Sequence, residues 1–191
     1  MSNIHIALDL ETLSLKPDAM IASVGLSAWV EGEQTELEGL HLRLDLNDQK
    51  DRDFDANVFN WWIQQDPKVV KSTFVDGAAY KIADAQRILE AWIAQVSSHG
   101  TITGVWSNDP SFDMAKFKSM FGEKLLHYRA TRCMRTARHA LEHLGHHDLI
   151  ASLDRDNMHH NALSDARWGA GLVRLYLEHV LGVQNEQTRT N

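Results

Sequence analysis

Apolar and polar positions alternate along the first fifty residues and then shift to a helical period. Residues 4–10 (IHIALDL), 20–30 (MIASVGLSAWV) and 39–46 (GLHLRLDL) read as three β-strands. The turn signals LKPD and EGEQ separate them, so consecutive short turns predict an antiparallel meander. DANVFNWWIQQ reads as a short helix starting near Asp55. In IADAQRILEAWIAQVSS, Ile82, Leu89, Trp92, Ile93 and Val96 fall at helical spacing, and His99-Gly100 ends the run. Residues 101–106 (TITGVW) form a fourth strand. A helix opens at Ser111 and stops at Gly122, and LLHYRAT reads as a short fifth strand. RCMRTARHALEHL is a helix stopped by Gly145, and NALSDARWGAGLVRLYLEHVL a long final helix stopped by Gly182. This order predicts an α/β fold with a mixed five-stranded sheet, three antiparallel strands followed by two parallel ones, flanked by helices. Residues 1–183 read as a single domain and 184–191 as a polar tail.

Composition narrows the class. The 191 residues are 43% hydrophobic and 24% charged, as in an ordinary globular protein. No run approaches the ~20 apolar residues of a membrane span, and the N-terminus lacks a signal-peptide pattern. The lone Cys133 excludes an internal disulfide, so a cytoplasmic location is the simplest expectation. A net charge of −7 argues against a protein that coats nucleic acid. The charge is uneven, however. Residues 124–141 carry Lys124, Arg129, Arg132, Arg135 and Arg138 with no acid, which fits either local polyanion binding or a solvated helix face.

The candidate chemistry is carboxylate-rich. In the first strand Ile4, Ile6, Leu8 and Leu10 share one face, and His5, Ala7, Asp9 and Glu11 the other. Asp9 and Glu11 stand roughly 7 Å apart along that face. Repulsion would raise one pKa unless a cation lay between them. A solitary D-x-E is ordinarily a solvent-facing strand edge. SNDPSFD follows the fourth strand and offers Asp109, suited to a turn before Pro110, and Asp113, suited to a first helical turn. HNALSDA supplies His160 and Asp165 at the start of the last helix. The same H-x4-D spacing recurs at His143 and Asp148, so the spacing alone carries no signal. Only the second pair opens a long helix with an apolar stripe. Four acids and one histidine from three segments match phosphodiester hydrolysis. Hard divalent cations take carboxylates and substrate phosphates, and a near-neutral histidine can accept a proton from water.

In combination, DLET, SNDPSFD and HNALSDA resemble the three motifs of the DEDDh family of 3′–5′ exonucleases, which have a ribonuclease H-like fold. They occur in that family's order over residues 9–165. FNWWIQQ and an R-T helix point to a compact phage and bacterial branch. The resemblance implies hydrolysis from the 3′ end of single-stranded nucleic acid, with release of nucleoside 5′-monophosphates. Asp9, Glu11, Asp113 and Asp165 would hold two divalent cations, Mg²⁺ or Mn²⁺, with Asp9 bridging them and His160 as general base. Thr12 and Leu13 would grip the 3′-terminal nucleotide by backbone contacts and an apolar wedge, with Phe112 lining the same pocket. Asp109-Pro110 depart from the small residues usual between Asn108 and Phe112, which bears on the loop carrying Asn108. DNA is slightly favoured as substrate over RNA, and a non-catalytic nucleic-acid-binding module is the alternative. A homodimer is a further expectation of the resemblance.

Trp61 and Trp62 point ~100° apart if helical, which leaves two readings: both pack against the sheet, or one belongs to the core and the other is offered to a base. His139 and His143 share an i, i+4 face, but no Cys or Glu completes a zinc set around them.

Overall fold

The protein was analysed as a computed structural model describing residues 1–154 and 158–183. The expected polar tail, 184–191, lies outside the described residues.

Three long strands lead the chain: β1 (Ser2–Thr12), β2 (Ile21–Val30) and β3 (Glu38–Leu44). They pair antiparallel in sequence, as their turns predict. Then come α1 (Ala56–Trp62), α2 (Pro67–Phe74), β4 (Ala79–Tyr80), α3 (Ile82–Ser97) and β5 (Gly100–Ser107). The chain continues through α4 (Asp113–Phe121), β6 (Thr131–Cys133), α5 (Met134–His143), α6 (His147–Ala151) and α7 (Ala162–His179). The sheet order is β4-β3-β2-β1-β5-β6, with β5 parallel to β1 and β6 parallel to β5.

The sheet therefore has six strands rather than five. The additional one, β4, is two residues long and lies parallel to the end of β3, too short to leave a period in the sequence. The last strand also starts later than LLHYRAT implies. Leu126 is buried, Tyr128–Ala130 form a 3₁₀ turn, and pairing begins only at Thr131.

Helices cover both faces of the sheet. Ile4, Ile6, Leu8 and Leu10 pack with Leu89 and Val96 of α3 and Phe117 and Phe121 of α4. On the other face Ala7, Trp29 and Trp106 meet Met134 and Leu141 of α5 and Ala166, Ala170 and Val173 of α7. The strand that carries Asp9 and Glu11 is thus central and buried on both sides. Its interior length anchors the two acids at its C-terminal end.

One glycine sets where α7 lands. Gly25 of β2 pairs with Asp9. A Cβ built there would lie 2.1 Å from the backbone C and O of Ala162. Only hydrogen at that position lets the first turn of α7 descend onto the sheet beside Asp9.

Candidate active site

Each acid reaches the site by its own local route. Asp9 and Glu11 project from one face of β1, two residues apart. Asp113 opens α4, where its Oδ2 accepts the backbone N–H of Asp109 at 3.3 Å while its own N–H donates to the Asp109 carbonyl at 2.9 Å. Asp165 lies in the first turn of α7, capped by Asn161, whose side chain accepts the N–H of Ser164. Asp165 Oδ2 accepts the N–H of His160 at 2.8 Å. His160 is the one described non-glycine residue with positive φ, at 70°. That left-handed kink turns the chain into α7 and brings residue 160 back over Asp165.

The convergence is close. Carboxylate oxygens of Asp9, Glu11 and Asp165 lie within 4.8 Å of one another. Ring nitrogens of His159 and His160 lie within 4.8 Å of each other and of an Asp165 oxygen. A cavity of about 390 Å³ is lined by all five expected catalytic residues, Asp9, Glu11, Asp113, His160 and Asp165. Asn108, Phe112, Arg135 and Arg138 also line it. The competing His143 and Asp148 line no such cavity.

The electrostatics are those of crowded, buried carboxylates. Glu11 is buried, and burial lifts its pKa well above the usual carboxylate range, with the charges of Asp165 and Asp113 adding to it. Burial likewise raises Asp113 to about 6, against the opposing pull of the Asp109 N–H, Lys116 and Arg135. Glu11 Oε1 is buried and has no hydrogen-bond partner among the described residues. An orphaned, buried carboxylate oxygen amid further acids fits a hard divalent cation, which takes oxygen ligands and offsets their repulsion.

A second cavity, about 470 Å³, adjoins the first through Leu10, Glu11 and Phe112. Thr12, Leu15, Trp61 and Trp62 line it as well. The tryptophans divide as helical geometry requires. Trp62 is 2% exposed and donates its Nε1–H to the Thr12 carbonyl at 3.0 Å. Trp61 is 43% exposed and meets the His160 ring edge-on at 5.0 Å. Leu13, the expected wedge, lies instead in the core against Trp62 and Val69, 1% exposed. Leu15, at 71%, faces the cavity in its place. The pairing register shifts between Glu11 and Thr12, so strand alternation cannot be carried past Glu11.

Reading from the sequence alone missed Leu15, His159 and Gly25, and it named Arg135 and Arg138 in a basic run without assigning them to this site. His159 stacks on His160 with ring centroids 3.8 Å apart and places Nδ1 3.2 Å from Asp165 Oδ2. The paired histidines in HHNALSD and the acid-free basic run were the available signals for three of these.

A family model described as the 3′–5′ exoribonuclease Rv2179c-like domain matches residues 4–177. The chain belongs to this family. The family is described as 3′–5′ exoribonucleolytic. Solved structures share the chain's fold at low identity. Zinc-bound E. coli ExoI in complex with ssDNA superposes with a TM-score of 0.63 at 11% identity, over 96% of this chain and 42% of that one. The chain thus spans less than half of the ExoI chain. The nuclease domain of 3′hExo, a DEDDh family member bound to rAMP, gives 0.59 at 10% identity, over 95% and 94% of the two chains. Cell-death related nuclease 4 gives 0.54 at 12%, over 93% and 64%. No curated protein matches the chain significantly. Among the described residues, no helix is long and apolar enough to cross a membrane.

Proposed function

We propose that residues 1–183 act as one exonuclease domain that removes nucleoside 5′-monophosphates stepwise from the 3′ end of single-stranded RNA. The observation that carries the reading is the meeting of Asp9, Glu11 and Asp165 oxygens within 4.8 Å, one of the Glu11 oxygens being buried and unpartnered. Asp9, Glu11, Asp113 and Asp165 would hold two divalent cations, Mg²⁺ or Mn²⁺. Such ions, when bound, supply Lewis acidity toward the phosphoryl oxygens and the attacking water.

The chain's own groups do the rest. His160 takes the proton of the attacking water at a ring nitrogen, held over Asp165 by its backbone N–H. The His159 face and the Trp61 edge limit the rotation of that ring. The apolar cavity formed by Thr12, Leu15, Trp61 and Phe112 receives the terminal nucleoside, and its walls exclude water from the bond being cut. RNA is named because the family is described as exoribonucleolytic, which reverses the slight leaning to DNA drawn from the motifs.

The test uses 5′-labelled single strands of matched RNA and DNA sequence in Mg²⁺ or Mn²⁺. The expected result is a one-nucleotide ladder, faster on RNA, that is slowed about 10²–10⁴-fold by His160→Ala. Internal cuts in a 3′-blocked strand, or a rate within about threefold of wild type for both His160→Ala and Asp165→Asn, would remove the assignment.

A further inference from the structure

Resting on that reading, we propose that Arg135 and Arg138 form a phosphate subsite that holds the phosphate one nucleotide 5′ of the scissile bond.

The carboxylate cavity presents Asp9, Glu11, Asp109, Asp113 and Asp165 to a polyanion, in a chain of net charge −7. The bound cations answer for the scissile phosphate alone. The next phosphate along the strand also passes this mouth and needs a countercharge of its own. Among the described residues, the only Lys or Arg side chains lining the cavity are Arg135 and Arg138, one turn apart on α5.

Both guanidinium groups are oriented but not consumed. Arg135 donates Nη1–H to Asp109 Oδ2 at 3.2 Å, and Arg138 donates Nε–H to Glu142 Oε1 at 2.8 Å. Their side chains are 63% and 52% exposed, and among the described residues no further acceptor meets them. A guanidinium held by one edge offers the rest of its planar donor set to phosphate oxygens, a bidentate match that an ammonium cannot make. Arg132, in the same basic run, differs. Its Nη atoms donate to the carbonyls of Arg129, Thr131 and Thr103, so it stitches the β6 edge instead.

Placement identifies the phosphate. The apolar cavity that takes the departing nucleoside is lined by neither arginine. The two cavities share Leu10, Glu11 and Phe112, so Glu11 stands at their seam, with the nucleoside pocket on one side and the cavity that holds the other carboxylates and both arginines of α5 on the other. With the 3′-terminal nucleoside on one side and the scissile phosphate at the carboxylates, the penultimate nucleotide and its 5′ phosphate fall on the α5 side.

The experiment pairs a neutral backbone with a neutralised protein. One single-stranded oligonucleotide carries a methylphosphonate in place of the phosphate 5′ of the scissile bond. A second carries it far upstream, and a third is unmodified. Release of the first 3′ nucleotide is measured at subsaturating substrate for wild type and for R135Q/R138Q. Wild type should lose about tenfold or more on the adjacent methylphosphonate and little on the distant one. R135Q/R138Q should lose a similar factor on the unmodified strand, and less than about twofold more on the adjacent methylphosphonate, because the lost contact is shared. R138K, which keeps the charge without the planar fork, should fall between wild type and R138Q. Equal methylphosphonate penalties in wild type and variant, or none in wild type, overturn the subsite while leaving the exonuclease intact. Failure of wild type to shorten even the unmodified strand overturns both readings together.

Discussion

Replacing Asp113 by asparagine perturbs the charge balance of the site with little change of shape. Asp113 is buried, and its carboxyl is raised from 3.8 to about 6 in the folded chain. The gap of about two pH units corresponds to ~3 kcal/mol at about 1.4 kcal/mol per unit. Its sign follows from proton linkage. The folded state holds this proton more tightly than the unfolded state does. The favourable contribution is complete below about pH 3.8 and is lost as pH rises through about 6. At neutral pH the metal-free wild type therefore folds with an ionised, buried carboxylate at a cost near ~3 kcal/mol. Asparagine has no proton to lose, and its amide oxygen can still accept the Asp109 N–H. In excess chelator at neutral pH, D113N should melt above wild type by about 6–12 °C, at roughly 2–4 °C per kcal/mol for a chain of this size. Below about pH 4 the two should converge.

Divalent cations should then reverse the ranking. An ion that binds only the folded state stabilises it by RT ln(1 + [ion]/Kd), and wild type has the fuller set of acids. Melts in chelator and in millimolar Mg²⁺ or Mn²⁺, taken from acid to neutral pH, read both effects. The reasoning is refuted if D113N melts at or below wild type in chelator at neutral pH. It is also refuted if the gap does not change with pH, or if the ions stabilise both proteins equally.

Gly25→Ala should lower the melting temperature by the ~1–3 kcal/mol of an overpacked site and cut exonuclease activity more than stability, since the Ala162 backbone must move and carries His160 and Asp165 with it. Activity corrected for the folded fraction at low temperature checks this. Trp61→Ala should raise KM by the ~1–3 kcal/mol of a lost base stack while leaving the melt nearly unchanged. Trp62→Ala should instead cost ~3–5 kcal/mol of stability, because that ring is buried and anchors the Thr12 carbonyl. Thermal melts beside Michaelis plots separate the two.

The elements that could be read in the sequence are those whose pattern repeats several times within one segment. β1, β2, α3 and α7 are of that kind. β4 is not, because two residues added to the end of β3 owe their conformation to a partner strand rather than to their own period. The short α2 went unread: Asp66 caps it and Pro67 is its first residue, but eight residues are too few to show a face. The same division holds in the site. Side chains inside β1 keep their alternation, so Asp9 and Glu11 could be assigned to one face. Leu13 could not, since the register shift after Glu11 decides whether residue 13 or 15 meets the cavity.

The long-range terms were harder to reach. DLET sets Asp9 and Glu11 on one strand face, but it does not show that the charges of Asp165 and Asp113, from helices 154 and 102 positions further along the chain, also raise Glu11. Asp165 is near Glu11 because α7 rests on bare backbone at Gly25, and Gly25 is the register partner of Asp9. A side chain at position 25 would lift the first turn of α7 from the sheet, and the left-handed turn at His160 would lift with it. Glu11, freed of the Asp165 charge, would then relax toward ordinary titration, and its Oε1 would gain room for water. A residue with no side chain thereby holds the carboxylates near enough to need a cation, which no motif built from charged residues could show.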